Sequence, residues 1–229
     1  MEQNAAKNAG RFAGAVIIIQ IITGFLINQV LVGPFTFAKD YLTAVAGHSN
    51  ELTAGMLLGL LSGALSIAMA ARVLPIFKQY NAVLAFAFLA FSILDFTNIA
   101  ADNTSIQSLL AAGKQYVQSG VSPAGSYSTA AGTVAYEARL WTHLMTILIP
   151  AITALVFFYV LFMYRLVPRF IAVWGFTAAI LMAIAIVLMI YGKVESILLL
   201  APFGLNQLFL SIWLMVKGFK TRNGQGIQG

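Results

Sequence analysis

Six long apolar segments follow one another along this chain of 229 residues, and they limit its fold more than any other feature. Each is long enough to cross about 30 Å of hydrocarbon as an α-helix that rises about 1.5 Å per residue. A transmembrane β-barrel would need shorter segments of alternating polarity. The sequence therefore predicts an all-α, polytopic membrane protein, a single transmembrane domain over residues 1–229 with spans at about 12–37, 52–73, 82–101, 140–164, 170–191 and 197–216.

The charged residues are too few to coat a soluble protein of this size. Lys and Arg number 13 and Asp and Glu number 7, together 9% of the chain, whereas soluble domains carry about 25%. This composition excludes a cytosolic enzyme and a DNA-binding module. The basic residues lie at the ends of the apolar segments rather than in one patch, so we expect the lipid bilayer, and not nucleic acid, as the partner. The sequence leaves the oligomeric state open.

The basic residues also predict the orientation of the chain. Six spans place both termini on one side of the membrane, and that side carries nine of the 13 Lys and Arg residues. By the positive-inside rule, both termini are expected in the cytoplasm.

The longest connection between spans, residues 102–136, falls on the outer side in this orientation. Its first half has an apolar face, and we predict an amphipathic helix that lies on the outer membrane surface. That face is formed by Ile106, Leu109, Leu110, Gly113 and Val117. Residues 119–133 are rich in Ser, Gly and Ala and are predicted to form a loop, either a lid or a plain linker.

Three glycines of the second span, Gly55, Gly59 and Gly63, recur at intervals of four and share one helix face. Small residues at this spacing let helix backbones approach closely in lipid, so they predict a packing seam. The seam could lie inside the protein or receive a helix of another one. Glu51 precedes Gly55 by one turn on the same face, so its carboxylate is expected to point into the protein.

Asp95 is an acid inside the third span, and Asn98 and Asp102 follow it at i+3 and i+7, which forms one polar stripe. A carboxylate in hydrocarbon costs roughly 2.5–3.5 kcal/mol on insertion scales and needs a partner, water or a proton. Asp95 is therefore a candidate binding residue, although a bond to a neighbouring span would also account for it.

The fourth span begins with Glu137, Arg139, Trp141 and His143. Arg139 and His143 are four residues apart and face the same way, and Glu137 could pair with Arg139. Anchoring at the lipid headgroups would explain Arg139 and Trp141 equally well.

The polar residues of the spans are predicted to share one depth. In the last span, Asn206 and Gln207 follow Pro202 and Gly204, which loosen a helix. With the predicted orientation, the outer half of the membrane holds Glu51, Asp95, Asn98, His143, Asn206 and Gln207. We therefore expect a polar cavity that opens to the outside.

Three segments carry distinctive patterns: residues 164–175 (YRLVPRFIAVWG), residues 202–219, which end in WLMVKGF, and residues 91–95 (FSILD). They resemble the YR…LVPRWLAxxG, P…NE…WLxxKGF and FRxxE patterns of bacterial integral membrane proteins in domain-of-unknown-function family 4386. The resemblance covers about residues 8–219 and implies six spans in a bacterial cytoplasmic (inner) membrane, without an established activity. Ser92 and Gln207 replace a basic and an acidic residue of the family patterns, whereas Asp95 keeps its acid.

The first functional hypothesis is a protein that binds or transports a small molecule, ion or lipid through the outer cavity, with Asp95 holding a cation or an amine. Its predicted ligand-binding residues are Glu51, Asp95, Asn98, Glu137, Arg139, His143, Asn206 and Gln207. One alternative is an intramembrane metal-assisted hydrolase that uses His48 and His143, although no H-E-x-x-H or G-x-S-x-G motif occurs. Another is an accessory subunit that docks through the glycine seam. Nothing in the sequence predicts a cofactor, and the absence of cysteine excludes thiolate ligands.

Overall fold

The computed structural model describes residues 2–119, 127–193 and 197–220, and these residues are almost entirely helical. A π-helical turn (Ile27–Leu31) continues the first helix, and a 3₁₀ turn (Ile197–Leu200) precedes the last one. The α-helices are α1 (Glu2–Leu26), α2 (Gly33–Thr36), α3 (Tyr41–Gly47), α4 (Ser49–Tyr80), α5 (Ala82–Ser119), α6 (Tyr127–Met163), α7 (Arg169–Ile190) and α8 (Ala201–Lys217).

Six helical segments of the described residues are long and apolar enough to cross a membrane, which confirms the predicted all-α, six-span architecture. They are Gln3–Thr36, Ser49–Tyr80, Ala82–Gln118, Thr129–Met163, Arg169–Ile190 and Leu198–Lys217. Gly10 of α1 lies against the backbone of Gly218 and Phe219, so both ends of the chain share one end of the bundle. We refer to this end as the termini side. Its placement in the cytoplasm stays a prediction.

The helices pack around two hydrophobic cores that follow each other along the bundle. The core on the termini side draws on α1 and α4–α8 and includes the buried rings of Phe77, Phe157 and Phe158. The other core brings α3 and the start of α4 against the end of α5 and the start of α6, where Leu42 and Leu109 are buried. We call the far end of the molecule, residues 33–47, 106–119 and 127–136, the cap.

The long outer connection is not built as predicted. Helix α5 runs without a break through 38 residues, about 57 Å, and α6 begins at Tyr127. The predicted loop is therefore helical from Tyr127 onwards, and residues 120–126 lie outside the described part of the chain. The prediction of a separate helix on the membrane surface was wrong.

The predicted apolar face of residues 106–117 is nevertheless real, and it packs inside the cap. Ile106, Leu109 and Leu110 are buried, whereas Val117 is exposed. Gly113 allows α3 to approach closely, because a Cβ there would lie 2.5 Å from the carbonyl oxygen of Leu42. A helical period reveals an apolar face but not whether lipid or protein covers it.

The glycine seam of α4 packs within the chain itself. All three glycines are buried. Gly55 packs against Val32, which follows the π-helical turn, and Gly63 packs against Phe96 of α5. A Cβ added to Gly63 would lie 2.9 Å from the ring carbon Cδ2 of Phe96. Residues of the same chain cover these glycines, so the seam is a packing contact inside the protein. Docking of an accessory subunit through Gly55, Gly59 and Gly63 stays a prediction.

Candidate ligand-binding cavity

A cavity of about 410 Å³ lies between α1, α4, α5, α6 and α8. Its volume is in the range of pockets that hold small organic ligands, about 300–1,000 Å³. Most of the lining is apolar, and the rings of Phe88 and Phe157, stacked with centroids 5.1 Å apart, join it to the core on the termini side. The polar side chains of the lining belong to Gln20, Ser62, Ser66, Asp95, Thr146, Thr153 and Gln207.

The cavity reaches the side of the bundle between α1 and α8. The two helices touch at Gly14, where an added Cβ would lie 2.6 Å from the carbonyl oxygen of Ser211. Nearer the start of α8, a Cβ on Gly204 would meet nothing within 4 Å. Gly204 and Ile21 both line the cavity and are both exposed on the surface. The cavity therefore has an opening at the level of the spans, where lipid surrounds the protein.

Asp95 is the only acidic residue among the described residues that line this cavity, and it is only 8% exposed. Its Oδ2 accepts a hydrogen bond of 2.9 Å from Oγ1 of Thr153 on α6. Its Oδ1 is buried and has no hydrogen-bond partner among the described residues. Because a buried polar oxygen without a partner is costly, this oxygen is a candidate acceptor for a donor from outside the described residues.

A buried ion pair joins α5 to α6 two turns beyond Asp95. Nη1 of Arg139 lies 2.9 Å from Oδ1 of Asp102, and the hydroxyl of Thr142 donates to the same oxygen at 2.7 Å. Arg139 is 2% exposed, and the ring of Phe37 lies 5.2 Å from its guanidinium carbon. The pair therefore closes the bundle beneath the cap.

Glu137 does not take part in this ion pair, so its predicted pairing with Arg139 was wrong. Its side chain is exposed, whereas Arg139 is buried. Residues two apart on a helix do not face each other, and only those three or four apart share a face. Arg139 is also no headgroup anchor, since its guanidinium points into the protein rather than out of it.

A second cavity of about 180 Å³ adjoins the first on the cap side. The two cavities share Ser62, Ile99 and Thr146 as lining residues. The smaller one is also lined by Arg139 and His143, and the imidazole of His143 lies 5.1 Å from the ring of Phe37. The polar lining thus continues from Asp95 to the buried ion pair.

Four of the eight predicted binding residues line these cavities. Asp95 and Gln207 line the larger cavity, and Arg139 and His143 line the smaller one. The structure therefore places the acid of the third span and the amide of the last span in one cavity, and the start of the fourth span in the cavity that adjoins it.

The other four predicted residues line neither cavity. Glu51 is half-buried at the start of α4, and Asn98 is half-buried on α5 with its Nδ2 unpartnered in the described part of the chain. Glu137 faces outwards. Asn206 is fully buried and donates from Nδ2 to the carbonyl oxygen of Ile171 at 3.0 Å, so it ties α8 to α7.

Thr153, the partner of Asp95, did not stand out in the sequence. A threonine in an apolar helix is common, and its hydroxyl usually bonds to its own helix, as Thr153 also does to the carbonyl oxygen of Ile149 at 3.1 Å. Pro150, three residues earlier on α6, could have drawn attention to this part of the helix, because a proline removes one backbone donor from a membrane helix. Pro150 lines the same cavity as Thr153.

The metal-assisted hydrolase finds no ligand set in residues 2–119, 127–193 and 197–220, where no three His, Asp or Glu side chains converge. His48 lies in a different place from His143: its Nδ1 is 2.9 Å from the carbonyl oxygen of Ala44, and its ring stacks on Phe35. The two histidines therefore take part in separate packing contacts of the chain.

The fold and the cavity define a polytopic α-helical membrane protein with a buried acid inside its bundle. The family model described as a domain of unknown function (DUF4386) matches residues 12–218, and the chain belongs to this family. The resemblance of its sequence motifs to that family is thereby confirmed. Comparison with curated proteins gives no match, and neither does comparison with solved structures.

Proposed function

We propose that the protein binds an amphiphilic organic ammonium ion in the larger cavity, with Oδ1 of Asp95 as the partner of the ammonium group. The observation that carries the proposal is this free, buried carboxylate oxygen in a cavity of about 410 Å³. Among the described residues that line the cavity, Asp95 is the only charged one, so its counter-charge is not supplied by the chain.

The walls of the cavity favour a ligand with an apolar body. Phe88, Phe157 and Phe203 contribute aromatic rings to the lining, and such rings attract both apolar groups and cations. The opening between α1 and α8 lies where lipid surrounds the bundle, and a molecule that partitions into the bilayer can enter there. An inorganic ion would bury no apolar surface against these walls.

Closure on the termini side favours binding over an open transport pathway. Below the cavity, the rings of Phe77, Phe88 and Phe157 pack with centroids 5.1–5.9 Å apart in the core. We therefore propose a binding protein for a ligand taken from the bilayer, and flux of the same ligand into proteoliposomes is the measurement that would reveal transport.

The test compares phenethylamine with phenethyl alcohol, which have the same ring and chain but differ in the ammonium group. Dissociation constants are measured by calorimetry on the purified protein in nanodiscs, with empty nanodiscs as the blank for partitioning. A hydrogen bond to a charged group contributes about 1.5–3 kcal/mol, so the amine should bind at least about tenfold more tightly than the alcohol.

Asp95→Asn should abolish this preference, since the amide keeps the shape of the side chain and an acceptor for Thr153 but lacks the charge. The matched control is Glu137→Gln, the same change at an exposed acid outside both cavities, which should leave both affinities unchanged. Equal binding of amine and alcohol by the unaltered protein, or a preference that survives in Asp95→Asn, would contradict the proposal.

A further inference from the structure

The guanidinium of Arg139 has more donors than the protein uses. An arginine side chain carries five N–H donors, and the hydrogen bond from Nη1 occupies one of them on Asp102. The residue is 98% buried, and its Nε, which is also buried, has no hydrogen-bond partner among the described residues. Buried donors in proteins are nearly always bonded, so this nitrogen calls for an acceptor from outside the chain.

From this donor and the cavity beside it, we propose that the smaller cavity is a second subsite of the same ligand, in which Nε of Arg139 donates to a neutral acceptor such as an amide or ester carbonyl. The proposal rests on the proposed function, because it assigns the far end of the ammonium ligand. It narrows that ligand to an amphiphilic ammonium ion that carries a carbonyl group.

The charges of the two cavities favour a neutral acceptor over an anionic one. Asp95, Asp102 and Arg139 together carry one net negative charge, which a single ammonium group balances. An anionic group that binds Arg139 would lie next to the carboxylate of Asp102, which binds the same guanidinium. Two negative charges bound to one guanidinium repel each other strongly in a buried site. A carbonyl oxygen accepts the hydrogen bond without this cost.

The distance between the two subsites sets the length of the ligand. Asp95 and Asp102 are seven residues apart on α5, which is about 10 Å along the helix. Arg139 is bonded to Asp102, so its guanidinium lies at that height. Since the two cavities share Ser62, Ile99 and Thr146 in their linings, one extended molecule can occupy both. The ammonium and the carbonyl oxygen should therefore be separated by about 10 Å.

Two probes of similar length test this assignment. Mono-N-acetylhexamethylenediamine has an ammonium group at one end and an amide carbonyl at the other, whereas octylamine has the ammonium group alone. Their dissociation constants are measured by calorimetry in nanodiscs for the unaltered protein and for Arg139→Lys. Lysine keeps a positive charge beside Asp102 and lacks the guanidinium fork with its Nε donor.

The ratio of the two dissociation constants is the informative quantity, because partitioning of each probe into lipid is the same for both proteins. Replacing Arg139 by Lys should shift this ratio by about tenfold against the acetylated probe, the usual effect of one hydrogen bond to a charged group. Octylamine, which lacks the carbonyl group, serves as the reference probe in each protein.

An unchanged ratio would overturn the second subsite, and Nε would then be satisfied by water alone. If Asp95→Asn still abolished binding of octylamine in that case, the proposed function would stand without the subsite. Failure of both probes to bind the unaltered protein would overturn the proposed function and this inference together.

Discussion

The ion pair between Asp102 and Arg139 should dominate the stability of the bundle beneath the cap. The change to make is Asp102→Leu, which leaves the guanidinium in place without its carboxylate. Arg139 is 2% exposed and the side chain of Asp102 is 11% exposed, so the loss of the carboxylate leaves a largely buried guanidinium without its charged partner. Removing one partner of a buried pair costs about 3–5 kcal/mol, whereas an exposed pair contributes about 0–1 kcal/mol.

The double variant Asp102→Leu with Arg139→Met shows whether the destabilisation comes from an unpaired buried charge or only from a loss of packing. Apolar residues of similar size often replace a buried ion pair at little cost. We therefore expect the double variant to unfold with nearly the free energy of the unaltered protein, so that the two single changes are far from additive. The exposed Lys114→Gln on α5 serves as a control for a change of charge that removes no buried contact.

Unfolding is followed by tryptophan fluorescence in mixed micelles with an increasing fraction of denaturing detergent. Trp141 reports directly on the region, because it lies on α6 two residues after Arg139. A loss below about 1 kcal/mol in Asp102→Leu, together with additive effects in the double variant, would refute the reasoning, since it would mean that the guanidinium finds water or lipid headgroups.

Two further predictions concern packing and the cavity. Gly175→Ala should destabilise the protein by about 1–3 kcal/mol, because the added Cβ would overlap the buried ring of Phe158. Gly204→Ala has open space around its Cβ and should stabilise α8 by up to about 1 kcal/mol. The same unfolding assay checks both variants, and equal effects on the free energy of unfolding would contradict this account. Thr153→Val should destabilise the protein by about 1–3 kcal/mol, because it leaves both oxygens of Asp95 without a donor among the described residues. Addition of Asp95→Asn should relieve most of that loss. A Thr153→Val protein as stable as the unaltered one would show that Asp95 is already hydrated.

The spans were predictable from the sequence because the bilayer demands about 20 apolar residues per helix, and composition alone reveals such runs. Asp95 was predictable for the converse reason, since an acid in an apolar run needs an explanation. The cap was not predictable in the same way. Its helices continue the spans into a region where lipid no longer requires apolar residues. The sequence of residues 106–117 therefore resembled a surface helix, and that of residues 119–133 resembled a loop.

The ion pair shows where reasoning from one sequence fails. The charged neighbour of Arg139 along the chain is Glu137, but the partner in space is Asp102, 37 positions away. Had α5 and α6 been taken as two continuous antiparallel helices, Asp102, 17 residues before the end of α5, and Arg139, 12 residues after the start of α6, would have been placed within about two turns of each other. The missing information was the length of the helices rather than the chemistry of the side chains.

The unequal helix lengths also give the molecule an uneven profile across the membrane. α7 has 22 residues and matches the thickness of a bilayer, whereas α5 has 38. With α7 taken as the thickness of the bilayer, the excess would let the far end of the cap reach about 25 Å beyond the hydrocarbon on one face. Single copies in a supported bilayer would therefore differ in height according to which way up they are inserted, and atomic force microscopy could count the two insertions without any label.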